Sequence, residues 1–162
     1  MASPLRVMFD TNIFGLLVAD ERFLIPKIAK AVNVIVYGCK VVRDELRDTP
    51  RSQKIANKNL RIELLNTYDL LVGVHDLQGG DLAQFLAEEY LKEYQGGVPR
   101  RKIFADFQIV AIASLKRLPV VCTEDNRTMA SKEAIRVFGK VNSRNNLEEV
   151  RFIGLTEFKR LI

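Results

Sequence analysis

The sequence predicts an α/β protein, a three-layer α/β/α sandwich around a five-stranded parallel sheet. Three observations carry that expectation. Five short apolar segments, rich in β-branched residues, are spread along the whole chain. Each is separated from the next by at least one stretch with apolar residues at helical spacing. The strand segments themselves alternate little between apolar and polar, which is the pattern of strands covered on both faces.

In chain order, Leu5–Phe9 reads as the first strand and runs straight into Asp10. Residues 11–18 follow with Ile13, Phe14, Leu16 and Leu17 at helical spacing, and Asp10 or Thr11 stands at the cap position. Residues 23–31 make a second short helix with Phe23, Leu24, Ile28 and Ala31 on one face. Residues 34–37 are β-branched, close at Gly38 and give the second strand. A helix over 41–46 carries Glu45 in its first turn, and Pro50 ends it. Residues 52–65 show helical periodicity through Ile55, Ile62 and Leu65, with Lys54, Lys58 and Arg61 on the polar face. Residues 70–74 are expected as the third strand, and Gly79-Gly80-Asp81 as a turn and cap. An amphipathic helix over 81–94 places Leu82, Phe85, Leu86 and Leu91 inward. After a loop over 95–99, Arg100-Arg101-Lys102 leads into the most apolar helix, 103–118. Residues 120–122 are the fourth strand, 129–138 a helix, 150–153 the fifth strand and 156–161 a last helical turn.

The 162 residues suit a single domain spanning 1–162, and no repeat or linker interrupts them. Apolar residues at 48% and charged residues at 28% exclude disordered, collagenous and disulfide-scaffold classes. The longest apolar runs, such as 109–115, fall well short of the ~20 residues of a membrane-spanning helix. The opening MASPLRVMFD lacks the pattern of a secretory signal, and Cys39 and Cys122 have no zinc-type spacing, so reduced core thiols and a cytoplasmic location are expected. The 25 Lys and Arg against 20 Asp and Glu leave a charge of +5, which hints at a polyanionic partner without establishing one.

In open parallel sheets, ligands bind beyond the carboxyl ends of the strands. Asp10 directly follows the first strand, and Asp125 follows the fourth after Thr123 and Glu124. Glu45 follows the second strand, and Asp106 sits among Ile103, Phe104, Phe107 and Ile109, where an unpaired charge is costly. Singly, Asp10 reads as a cap, Asp125 as a turn acid and Glu45 as a solvated helix charge, whereas Asp106 is harder to dismiss among its apolar neighbours. Together, four carboxylates at one sheet edge repel one another unless a cation lies between them. An all-oxygen donor set selects hard ions, Mg²⁺ or Mn²⁺. A metal, a water and a phosphodiester brought together there constitute a hydrolytic nuclease.

Four blocks resemble the PIN-domain nucleases, particularly the toxin-type (VapC-like) members. VMFDTNIF at 7–14 is similar to that family's opening strand and D-[TS]-[NS] signature. VVRDEL at 41–46 resembles its second block, ADFQIVAIAS at 105–114 its D-x-x-I-A-A helix, and VVCTEDN at 120–126 its T-x-D segment. The resemblance implies a metal-dependent endoribonuclease in which metal-activated water cleaves RNA, with Asp10, Glu45, Asp106 and Asp125 as the acidic, metal-binding set. Asn12 and Thr123 match its supporting polar positions. It also implies Mg²⁺ or Mn²⁺, an RNA substrate, a homodimer and, for a toxin, an antitoxin partner. The chain departs from the pattern in NRTM at 126–129 and in its long basic block at 51–66. A non-catalytic RNA- or protein-binding module on the same scaffold, or an RNA-processing nuclease, are the alternatives.

Arg43, Arg47, Arg100, Arg101 and Lys102 lie close in sequence to the acids and are candidate phosphate contacts, or simply a solvated basic rim. Tyr90 and Tyr94 are spaced for packing more than for base stacking, and His75, the only histidine, is expected to be structural. No G-x-G-x-x-G or Walker pattern follows a strand. Asn at position 12 removes the second Asp that an aspartyl phosphatase would want.

Overall fold

The computed structural model describes residues 2–162. Strand β1 (Leu5–Phe9) is followed by α1 (Thr11–Ala19) and α2 (Leu24–Lys30), then β2 (Val34–Cys39) and α3 (Lys40–Arg47). A small hairpin, β3 (Lys54–Ile55) and β4 (Lys58–Asn59), precedes the long helix α4 (Leu60–Val72). The chain then runs through β5 (Asp76–Leu77), α5 (Gly80–Glu93), α6 (Arg100–Leu115), β6 (Val120–Cys122), α7 (Lys132–Arg144), β7 (Arg151–Ile153) and α8 (Leu155–Lys159). The main sheet has the order β5-β2-β1-β6-β7 and all its pairs are parallel. Val7, Met8 and Phe9 are fully buried, as the near-continuous apolar strand requires.

The expected five-stranded α/β sandwich is thus what the chain forms. The order also fixes where a site must lie. From β1 the chain moves outward through β2 and β5, then returns to add β6 and β7 on the other side of β1. The direction of winding therefore reverses between β1 and β6, and a crevice opens at their carboxyl ends. Asp10 leaves β1 there, and Thr123 to Asp125 leave β6.

Four expectations need correction. The third strand is not at 70–74. That apolar run continues α4, whose buried side is Leu64, Thr67, Tyr68 and Val72, at steps of three and four. Gly73, at φ 55°, ends the helix, and the strand follows at Asp76–Leu77, paired with Gly38 and Cys39 of β2. Nor does a helix cover 52–65. The first part is the hairpin, turned at Ala56 and Asn57 with φ of 48° and 63°. Only then does α4 begin, capped by Asn59, whose Oδ1 accepts from the Ile62 N–H at 3.1 Å. Ala-Asn is not one of the usual turn pairs, so the turn leaves little trace in the sequence.

The inward face of α5 is Ala83, Leu86, Ala87 and Tyr90, and Leu82 and Phe85 are exposed. Small residues on that face let α5 lie close against α6. A Cβ at Gly79 would stand 2.7 Å from Ile112 Cγ1, so glycine is required where the two helices meet. Finally, α7 starts later and runs longer than 129–138. Ser131 caps it by accepting from the Ala134 N–H at 3.1 Å, and the helix continues through Gly139.

Tyr90 is completely buried. Its hydroxyl donates to Asn142 Oδ1 at 2.6 Å, and the Asn142 amide donates to Ser114 Oγ at 2.9 Å, tying α5, α6 and α7 together. It is a core residue and not a base-stacking platform. Tyr94 packs edge-on against Phe107, and the His75 ring lies tilted against Tyr37 with centroids 4.7 Å apart, a structural contact as expected. Cys39 and Cys122 are buried free thiols, with proton affinity raised by burial. Among the described residues, no helix is long and apolar enough to cross a membrane.

Candidate metal centre

Asp10 is held on both oxygens. It turns from β1 into the cap of α1, where Oδ1 accepts from the Thr11 N–H at 2.7 Å. Its Oδ2 accepts from the Thr123 hydroxyl at 2.7 Å. Only 4% of the residue is exposed. Burial raises its proton affinity, the bonds from Thr123 and Thr11 lower it, and repulsion from Asp125 raises it again. Asp10 therefore caps α1 through one oxygen, while the other is held by Thr123 at the end of β6.

Thr123 organises the pair of strand ends. It gives its one proton to Asp10 and accepts from the Asn12 amide at 3.3 Å and from the Asp125 N–H at 3.0 Å. Asn12 Oδ1 in turn accepts from the Glu124 N–H at 3.2 Å. Asn12 and Thr123 thus tie the Asp10 carboxylate to the backbone of residues 124 and 125, just past β6.

Asp125 closes a turn. Its Oδ1 accepts from the N–H groups of Arg127 and Thr128 at 3.0 and 2.9 Å. Burial pushes its proton affinity up, but the Thr128 hydroxyl and the amides of Thr128, Arg127 and Met129 outweigh that, so the carboxyl lies below its ordinary value. Asp106 lies in the second turn of α6, because that helix starts at Arg100, earlier than expected. Burial, with repulsion from Asp10 and Asp125, pushes its carboxyl up to about 7 despite a 2.7 Å hydrogen bond from the Thr128 hydroxyl.

Thr128 is a site residue that sequence reasoning missed. Its hydroxyl touches both Asp106 and Asp125. One hydroxyl has one proton to give, so the second contact brings two acceptor oxygens together unless a proton or cation intervenes. The available signal was a hydroxyl three residues after Asp125, in the segment DNRT.

Glu45 completes the group from α3, in that helix's second turn. Burial, then repulsion from Asp10 and Asp106, pushes its carboxyl up to about 7, while the nearby Thr11 hydroxyl lowers it. Its Oε1 is buried and completes no hydrogen bond, nor does Thr11 Oγ1. A buried orphan oxygen costs free energy, on the order of 1–3 kcal/mol, and more when charged. Among the described residues, no three His, Cys, Asp or Glu side chains are drawn into a ready-made cage for an ion. The four acids repel one another across the crevice without closing on a common point. That donor set still fits a Mg²⁺-like ion, which keeps several waters and takes only one or two carboxylates directly.

The basic candidates divide. Arg43 pairs with Asp69 at 3.2 Å, Arg47 with Asp44 at 3.7 Å, and Arg100 with Glu88 while lying over the Phe104 ring at 4.8 Å. Arg101 and Lys102 are exposed and form no ion pair among the described residues.

No family model and no curated protein matches the chain. Solved structures do. VapBC2 from Rickettsia felis, bound to a DNA fragment from their promoter, is 13% identical with a TM-score of 0.59, over 93% of this chain and 98% of that one. FitAB bound to the IR36 DNA fragment is 14% identical with a TM-score of 0.57, over 91% and 94%. VapBC-1 from nontypeable Haemophilus influenzae is 15% identical with a TM-score of 0.58, over 94% and 99%. At such identities the likeness is one of fold, and the chain has the PIN-like α/β/α fold of these VapBC and FitAB structures over nearly its whole length.

Proposed function

We propose that the protein is a divalent-metal-dependent endoribonuclease, the toxin of a toxin–antitoxin pair. The observation that carries this reading is the gathering of Asp10, Glu45, Asp106 and Asp125 at the β1/β6 crevice, with Glu45 Oε1 left open. Such an arrangement is unfavourable for folding alone and is explained by a cation. Asp10, Asp106 and Glu45 would hold Mg²⁺ or Mn²⁺, with Asp125 assisting. When bound, the ion neutralises the phosphate and lowers the proton affinity of water.

The chain's own groups do the rest. The Thr11 amide and the Thr123 hydroxyl fix the Asp10 carboxylate, and Thr128 holds Asp106 against Asp125. Glu45 Oε1, buried and without a hydrogen-bond partner, would serve as a ligand to the ion. Arg101 and Lys102, on the first turn of α6, supply phosphate contacts that weaken with salt. The VapBC and FitAB likeness supports an antitoxin as partner, a homodimer being the form expected of such a toxin. Leu82 and Phe85, three apart on α5 and exposed, offer an apolar face for one of these associations.

Purified protein should cleave RNA with Mn²⁺, stop in EDTA, and lose cleavage in Asp10→Asn while keeping its fold. Undiminished cleavage by a nuclease-free Asp10→Asn preparation would overturn the mechanism. The rival reading is a non-catalytic RNA- or protein-binding module. That reading predicts RNA binding indifferent to metal and no cleavage. Induced expression without the partner should arrest growth, and normal growth with abundant folded protein counts against the toxin role.

A further inference from the structure

We propose that the cavity beside Glu45 is a nucleobase subsite that reads an amino-bearing base, adenine foremost, next to the scissile bond; this rests on the ribonuclease reading above. The cavity measures about 530 Å³ and is walled by α3, α5 and α6. That is within the range of sites for small, flat ligands, roughly 300–1,000 Å³. It opens directly onto Glu45, so a base seated there has its phosphate at the carboxylate crevice.

Its chemistry is specific. Val41, Ala83 and Ile112 give apolar walls, and Gln78, Gln84 and Gln108 line it from a loop and two helices. None of their side-chain amides forms a hydrogen bond with another described residue, so three donor–acceptor groups stand uncommitted. Gly79 keeps the space: a Cβ there would press on Ile112 and push the start of α5 away from α6.

Charge decides what fits. Asp44, Glu45 and Asp48 face the cavity against Lys40 alone, whose Nζ is already 2.6 Å from Asp44. A phosphate is repelled by that lining. A neutral ring with an exocyclic amine is welcomed, since carboxylates accept from it and a glutamine amide pairs with the N6 and N7 of adenine. Uracil offers a carbonyl where adenine offers the amine. An arginine from a protein partner would satisfy the carboxylates, but it is donor-only and leaves the amide NH₂ groups unmatched.

The test is equilibrium binding of short oligo(A) and oligo(U) to the full chain in EDTA, where metal-dependent cleavage is off, followed by anisotropy. Oligo(A) should bind about tenfold more tightly than oligo(U), and Gln108→Leu or Gln84→Leu should bring the two to within about twofold. Gln84 is exposed, so its replacement leaves folding intact. Equal binding by the wild type, or a preference that survives both substitutions, overturns the proposal. Binding of N-acetyl-argininamide that is lost in Gln108→Leu, without base preference, gives the cavity to a protein partner instead. Cleavage in Mn²⁺ with no base preference leaves the nuclease reading standing and removes the subsite. Gln108-dependent adenine preference without cleavage does the reverse.

Discussion

The Thr123 hydroxyl donates to the Asp10 carboxylate and accepts from the Asp125 N–H, while the Thr128 hydroxyl touches the carboxylates of both Asp106 and Asp125. Replacing Thr123 by Val removes the donor to a buried Asp10 oxygen, and RNA cleavage should fall by about 10–100-fold, the usual cost of losing a group that orients a ligand. Wild-type rates in Thr123→Val would contradict the assigned positioning role. The acids also set a pH dependence. Glu45 and Asp106 sit at about 7 in the folded protein, against about 4 in an unfolded chain. Below pH 4 both states are protonated and the groups contribute no difference. Between about 4 and 7 the folded state keeps protons that the unfolded chain has released, so metal-free protein loses stability as pH rises. Asp106→Asn removes that penalty. Without metal it should unfold at the same temperature as wild type at pH 4 and be more stable by on the order of 1–2 kcal/mol at pH 8, screening included. A variant less stable at pH 8 contradicts the electrostatic account.

At the scale of elements, β1, β2, β6 and β7 are legible because buried parallel strands are nearly uniform apolar runs with few competitors. Strand β5 is not, because two residues held by Gly38 and Cys39 carry no pattern of their own. The run at 70–74 looks like a strand in composition, and only the continued spacing from Leu64 through Tyr68 to Val72 identifies it as helix. The face of α5 is misjudged for a different reason. Alanines mark the close contact with α6, and larger side chains are left outside. The α5–α6–α7 junction rests on the buried Tyr90–Asn142–Ser114 network. Asn142→Leu removes the 2.6 Å acceptor of the buried Tyr90 hydroxyl and leaves it only the 3.2 Å contact with Ser114, and it should cost about 1–3 kcal/mol, read as a lower midpoint in urea at unchanged slope. An unchanged midpoint would show that the network contributes nothing to stability.

Over the whole molecule, the winding order turns separate sequence blocks into one place. Asp10, Glu45, Asp106 and Asp125 span more than a hundred residues of chain, and the reversal between β1 and β6 brings their elements to a single edge. Asp10 and Asp125 are legible from the strand ends, whereas Glu45 and Asp106 enter from α3 and α6. Thr128, the open Glu45 oxygen and the glutamine-lined cavity are not legible, because they depend on how α3, α5 and α6 pack. The charge of +5 also has a plainer reading than a general affinity for polyanions. Arg43, Arg47 and Arg100 are spent on ion pairs, and Arg101 and Lys102 form none among the described residues. The central claim is that the acids hold a divalent cation. It is tested most directly by thermal unfolding of wild type and Asp10→Asn under Mn²⁺ titration. Wild type should gain about 2.7 kcal/mol at a hundredfold excess over Kd, and Asp10→Asn little or nothing. No shift at millimolar Mn²⁺, or an equal shift in both proteins, would contradict it.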